Sequence, residues 1–164
     1  MPERRTIERA RRDKREGKAP STQAGEFVRE EIDHIREGRH GARSTKQAIA
    51  IGLSKARRAG VNLPVPKKGT TSAKTRKSAK SALAAGRAQK KTSTKRSRAT
   101  ENALKREGRA AASPSALSRQ AKSASKKRSA ASRSASARKA AKTKGPRVRS
   151  AAAKKAARTR TKAR

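Results

Sequence analysis

Nine of the eleven acidic residues in this 164-residue chain fall between Glu3 and Glu37, whereas its 49 Lys and Arg residues run along its whole length. Up to Pro66 there are sixteen cations against nine acids, and beyond it thirty-three against two, Glu101 and Glu107. Only the first stretch can balance its charge internally, and the second repels itself when compacted without counter-anions. Little apolar material opposes that repulsion. The chain has one Phe, one Met and no Trp or Tyr, and after Lys67 its only larger apolar side chains are Leu83, Leu104, Leu117 and Val148. The expectation is a mostly disordered protein with a small all-α element. Its parts would be a charged N-terminal helix or arm (1–20), a helical hairpin (21–63) and a disordered Lys/Arg/Ala/Ser-rich tail (64–164).

Local signals give the first 66 residues their outline. Residues 3–16 are almost all charged, with opposite-sign pairs at helical spacing such as Arg4/Glu8 and Arg12/Glu16, which predicts a solvated, marginal helix ended by Gly17 and Pro20. Ser21 or Thr22 can cap the next helix, in which Phe27, Val28, Ile32 and Ile35 share one face and Gly38 suits the stop. Ser44 followed by Gln47 matches a capping box, so a further helix starts there. Gly60 fits its left-handed end, Val61 can fold back on Ala56, and Pro64 and Pro66 forbid continuation. The predicted interface is Phe27, Val28, Ile32, Ile35, Ile49, Ile51 and Leu53, small enough that dimerisation, a protein partner or ordering on a ligand is expected to support it.

In the tail, Ala, Lys and Arg favour helix locally. Thr100 before Glu101, with the Glu101/Lys105 pair, and Ser113 before Pro114 are start signals. Like-charge repulsion opposes them, so transient helices that grow on a polyanion are expected.

The same composition excludes much chemistry. No Cys is present, which removes disulfides, thiolate metal sites and a Cys nucleophile. His34 and His40 are six residues apart, outside the helical i, i+4 metal spacing, and are expected to be solvated, so no metal ligands are assigned. The acids lie on charged helices with no predicted pocket, so no catalytic residue, cofactor or small-molecule substrate is expected, and the chain is read as a non-enzyme. The stretch from Ala48 to Leu53 is far short of a membrane span, and the expected location is cytoplasmic and nucleoid-associated.

What remains is polyanion binding. The tail could match the phosphates along about 50 Å of duplex, at about one charge per 1.7 Å of axis. A flexible chain of its length spans roughly 55 Å, which favours bridging and compaction. The candidate nucleic-acid contacts start around the second hairpin helix with Arg43, Lys46, Lys55, Arg57 and Arg58. They continue along the tail through Lys67, Lys68, Lys74, Arg76, Lys77, Lys90, Lys91, Lys95 and Arg96. The last group is Lys126, Lys127, Arg128, Arg138, Lys139, Lys142, Lys154 and Lys155. With no aromatic platform for unstacked bases, DNA is the expected partner, bound without sequence preference. Structured RNA or ribosomes are the alternative, and an anionic membrane surface or other polyanion comes third.

Two resemblances agree with this reading. The run STKQAIAIGLSKARRAG, from Ser44 to Gly60, resembles the core of a family of small basic bacterial proteins of unknown function, which implies no activity. The Lys/Ala/Ser-rich tail resembles in composition the C-terminal domains of linker histone H1 and the bacterial histone H1-like proteins, which implies compaction of a nucleoid or chromatin. It lacks the SPKK-type repeats of some of those tails, since Ser113 and Pro114 are followed by Ser115 and Ala116.

Overall fold

The computed structural model describes residues 2–89 and 93–162. Among these there are seven α-helices and no strand: α1 (Arg4–Arg15), α2 (Pro20–Arg36), α3 (Thr45–Arg58), α4 (Ala73–Arg87), α5 (Thr94–Lys105), α6 (Pro114–Lys126) and α7 (Ala130–Lys162). A single 3-10 turn, Ala110–Ala112, lies between α5 and α6. The chain divides into two compact units, Met1–Gln120 and Ala121–Arg164. No helix among the described residues is long and apolar enough to cross a membrane.

The all-α expectation is met, but the expectation of a mostly disordered chain is overturned, because about 75% of the described residues are helical. The physical reason is local. Ala, Lys and Arg head the helix-propensity scale, and serine hydroxyls satisfy the orphaned first-turn donors. Ser72 accepts from the Thr75 N–H at 3.2 Å, Ser113 from the Ala116 N–H at 3.2 Å, and Ser129 from the Ser132 N–H at 3.2 Å. Thr100, Thr143, Thr159 and Thr161 turn their hydroxyls back onto carbonyls one turn earlier, which keeps these side chains inside the helix pattern.

In the first unit, α2 and α3 pack against each other. Gly38 at φ +79° ends α2 in the left-handed conformation, with its N–H on the Ile35 carbonyl and the Arg39 N–H on the His34 carbonyl, a Schellman motif. Gly60 at φ +88° ends α3 in the same way, and Val61 donates to the Ala56 carbonyl and packs with Ala56 in the core. At the start of α3 the Gln47 N–H donates to Ser44 Oγ at 3.2 Å. The Gln47 side chain returns to the Arg43 N–H at 2.9 Å, one residue earlier than a standard capping box. The α2 start lies slightly ahead of Ser21, with Pro20 in the first turn after Ala19.

The interface differs in kind from the large-apolar stripe read in the sequence. Phe27, Ile32 and Ile35 are buried, but on α3 the buried residues are Thr45, Ala48, Gly52, Ala56 and Arg57, while Ile49, Ile51 and Leu53 are half-buried. Small residues one turn apart let the backbones close, and a Cβ on Gly52 would stand 2.7 Å from Val28 Cα. One core cluster joins Ala10, Ala24, Phe27, Ala56, Val61 and Leu63, and a second joins Ile32, Ile35, Ala42, Ala48, Ala111 and Ala112.

The hairpin's other faces are covered from within the chain. Helix α1 is no solvated arm, because it packs on α2 with Thr6, Ala10 and Asp13 buried and Arg9 Nε 2.6 Å from Glu26 Oε2. Helix α4 packs on α3 through Ala79, Ala82 and Gly86, with Gly86 so close that a side chain would strike the Arg57 carbonyl. The Ala110–Ala112 turn docks between α2 and α3, where the Thr45 hydroxyl donates to the Ala111 carbonyl at 2.7 Å and Arg36 Nε to the Ala112 carbonyl at 3.0 Å.

In the second unit, α7 is interrupted at Gly145, whose φ of 66° and ψ of 169° are not helical, next to Pro146. Almost all of its side chains between residues 130 and 161 are exposed, with Ala141 and Gly145 half-buried.

Candidate nucleic-acid interface

The basic side chains divide by where the folded chain sends them. Arg43, Lys46 and Arg58 are exposed at or beside α3, and Lys67, Lys68, Lys74 and Lys77 are exposed before and along α4. Arg76 is half-buried, with Nε donating to the Pro66 carbonyl at 3.2 Å. Lys95 and Arg96 on α5 are exposed, as are Lys126, Lys127, Arg128, Arg138, Lys139, Lys142, Lys154 and Lys155. Lys90 and Lys91 lie outside the described residues.

Two of the sequence-selected cations face inward. Arg57 is 6% exposed and donates to the Pro64 carbonyl at 3.2 Å and, at longer range, to the carbonyls of Leu63 and Leu53. Burial pushes its guanidinium below the usual arginine range. Its place in the last turn of α3, beside a chain that reverses at Gly60, turns it onto the returning segment. Lys55 Nζ lies 2.5 Å from Oε2 of Glu31, whose residue is 0% exposed. Arg57 is withdrawn from an external phosphate in this arrangement, and the ammonium of the half-buried Lys55 is held on Glu31.

The acids of the first unit are largely paired within the fold. Glu8 meets Arg4 at 3.1 Å, Asp13 meets Lys18 at 2.7 Å, and Glu37 meets Arg39 at 2.8 Å. Hydrogen bonds from His34 and then Arg39 hold the Glu3 carboxyl below its ordinary value, while Glu3 in turn raises Arg39. The bond to Asp13, then that to Glu16, raises the Lys18 ammonium. On α5, Lys105 lowers the Glu101 carboxyl across a 2.9 Å pair. By contrast α7 carries twelve Lys and Arg residues and no acid, spread around the helix rather than gathered on one side.

The hydrogen-bonding pattern also draws together a cluster that sequence spacing did not suggest. His34 and His40 are not solvated: their side chains are 11% and 13% exposed, and with Glu31 they present ligand-type atoms all within 4.8 Å of one another. Glu31 and His34 are one turn apart on α2, and the turn at Gly38 returns His40 to them. The Glu31-x-x-His34 spacing is legible in the sequence as a shared helix face, while the arrival of His40 depends on the turn.

Residues 3–69 match a family described as "Family of unknown function (DUF6496)". The matched segment takes in α1, α2, α3 and the chain that crosses the end of α3. No curated protein and no solved structure is significantly similar to the chain.

Proposed function

We propose that this protein binds duplex DNA without sequence preference, by neutralising phosphates, and compacts or bridges it in the manner of a histone H1-like, nucleoid-associated protein of bacteria. The role is one of binding rather than catalysis. The observation that carries this reading is the charge asymmetry: the first unit spends its acids on internal ion pairs, while α7 offers twelve cations with no acid among them. Uncompensated charge of that density releases condensed counterions when it meets a polyanion, which is a favourable entropy term.

The shape of α7 favours duplex DNA among polyanions. An α-helix with side chains is about 10–12 Å across, close to the roughly 12 Å width of the major groove of B-DNA. A helix in that groove has phosphates on both sides, which suits cations distributed around it. A-form RNA keeps its major groove deep and narrow. A membrane surface calls for an apolar face opposite the cationic one, and α7 has Val148 as its only larger apolar residue.

Competition binding of the full chain to duplex DNA, structured RNA and anionic vesicles across a salt series tests the proposal. Duplex should win at physiological salt, and its affinity should fall by about 10³ to 10⁵ between 50 and 200 mM salt if 6–10 phosphates are engaged. Preference for vesicles, or an affinity indifferent to salt, would overturn it.

A further inference from the structure

We propose that Glu31, His34 and His40 form a binding site for one divalent transition-metal ion of the zinc class, a site separate from the cationic surface. Zinc takes imidazole nitrogen and carboxylate oxygen, and two histidines with one glutamate are an established donor set for it. His40 Nε2 stands 3.4 Å from Glu31 Oε1, close to the roughly 3.3 Å edge of a tetrahedron with ligands at about 2.0–2.1 Å. The third ligand atom, from His34, is within 4.8 Å of the other two.

Three features point to a ligand rather than to packing alone. The first is Glu31, a fully buried carboxylate with neither oxygen in a directed hydrogen bond. The Lys55 ammonium, 2.5 Å away, supplies positive charge, and a metal ion would supply it with bonding geometry as well. The second is the outer contact of His40, whose Nδ1 lies 3.1 Å from the Gly41 carbonyl. Donation there leaves the Nε2 lone pair toward Glu31, the tautomer that a metal requires. The third is Glu3, whose Oε1 lies 3.0 Å from His34 Nε2. Arg39 Nη1 stands 3.1 Å from the same nitrogen and 2.8 Å from Glu3 Oε1, so Glu3 and Arg39 together fix the orientation of the His34 ring.

The scaffold holds this geometry from several sides. Glu31 and His34 share a face of α2. His40 is set by the turn at Gly38 and by its neighbours, since the Gly41 N–H donates to the Leu104 carbonyl at 2.9 Å and the Ala42 N–H to the Gly108 carbonyl at 3.1 Å. Lys55 acts as a resident cation that an incoming ion must displace.

Zinc(II) titration of the full-length protein against a chromophoric chelator, at a salt concentration where screening reaches about 8 Å, tests the site. Cobalt(II) would report coordination through its visible ligand-field bands. One metal per chain is expected, with His34→Gln and His40→Gln each weakening binding at least tenfold. Lys55→Met should tighten binding, because it removes the competing cation, and zinc should raise the melting temperature of that variant more than that of the parent. The proposal is overturned if the parent binds no equivalent of zinc. It is equally overturned if a folded His34→Gln/His40→Gln variant binds zinc as the parent does, the mark of an adventitious ion only. Should the double variant not fold, Lys55→Met decides: unchanged or weaker zinc affinity rejects the site.

Discussion

Lys55 of α3 reaches across the helix crossing to place its ammonium 2.5 Å from the buried carboxylate of Glu31 on α2. Removing the lysine leaves that charge in the core, with the His40 ring nitrogen 3.4 Å away. Breaking a buried pair from one side costs about 3–5 kcal/mol, and Lys55 is partly exposed, so Lys55→Met should cost about 2 kcal/mol. Replacing both partners, as Glu31→Leu/Lys55→Met, should recover most of it, since no charge is then stranded. Urea denaturation of the single and double variants in metal-free buffer measures the difference.

The close crossing of α2 and α3 makes a second, geometric prediction. A methyl at Gly52 would stand 2.7 Å from Val28 Cα, 2.9 Å from Val28 N and 3.0 Å from the Phe27 oxygen, all backbone atoms that yield only if the helices separate. Gly52→Ala should therefore destabilise by about 1–3 kcal/mol despite the better helix propensity of Ala. Gly25, inside α2, has nothing within 4 Å of its Cβ position, so Gly25→Ala should stabilise by about 0.5–1 kcal/mol. Opposite shifts in the urea midpoint for the two variants check the argument.

These positions also show what was legible in the sequence. Chain punctuation was: Ser44 with Gln47, Gly38, Gly60 with Val61, and Ser113 with Pro114 all act as their residue types dictate. The partners of the helices were not. Reading for large apolar residues selected Ile49 and Ile51, whereas the contact runs through Ala48, Gly52 and Ala56, whose value lies in their smallness. The same logic hid the docking of α4 and of Ala110–Ala112. Net charge predicts disorder in the tail, and local helix propensity with serine caps outweighs it. The inward turn of Arg57 and the return of His40 depend on three-dimensional reversals at Gly60 and Gly38, which composition does not encode.

Arg57 and Arg58 offer a direct separation of fold from surface. Arg57 donates to carbonyls of Leu63 and Pro64 that lie on the segment closing over α3, so Arg57→Met should cost about 1–3 kcal/mol, chiefly through the carbonyl of buried Leu63 left without a donor. Its effect on polyanion affinity at a temperature where the variant is folded should be small. Arg58 is exposed, so Arg58→Gln should leave the melting temperature unchanged and make the dependence of affinity on salt slightly shallower. Parallel melting and DNA-binding measurements on the two variants would show the exchange of roles.

Two ion pairs give stability opposite dependences on pH. The bonds to Asp13 and Glu16 raise Lys18 above its ordinary value of 10.5 in the folded chain, so its contribution is fully present below that value and is lost as pH rises through the raised one. Lys105 lowers Glu101 below 4.5, so that contribution is present above 4.5 and is lost as pH falls. Lys18→Met should flatten the alkaline limb of a melting-temperature profile and leave the acid limb in place. Glu101→Gln should do the reverse.

Because α7 carries its cations on a helix that makes few side-chain contacts of its own, charge can be removed there without touching the core. Gln has nearly the helix propensity of Lys and Arg, so Arg138→Gln/Lys139→Gln/Lys142→Gln should preserve the circular dichroism spectrum. If each of the three meets a phosphate, the slope of log affinity against log salt should become shallower by about 2.7, at about 0.9 per contact. Arg43→Gln/Lys46→Gln/Arg58→Gln applies the same subtraction to the exposed cations around α3, which lie inside the family-matched segment. A large change in slope from the α7 variant with little from the α3 variant would assign affinity to the second unit. It would leave the first unit, with its paired acids and its buried Glu31 cluster, to a different task. Equal changes would mean that duplex DNA lies across both.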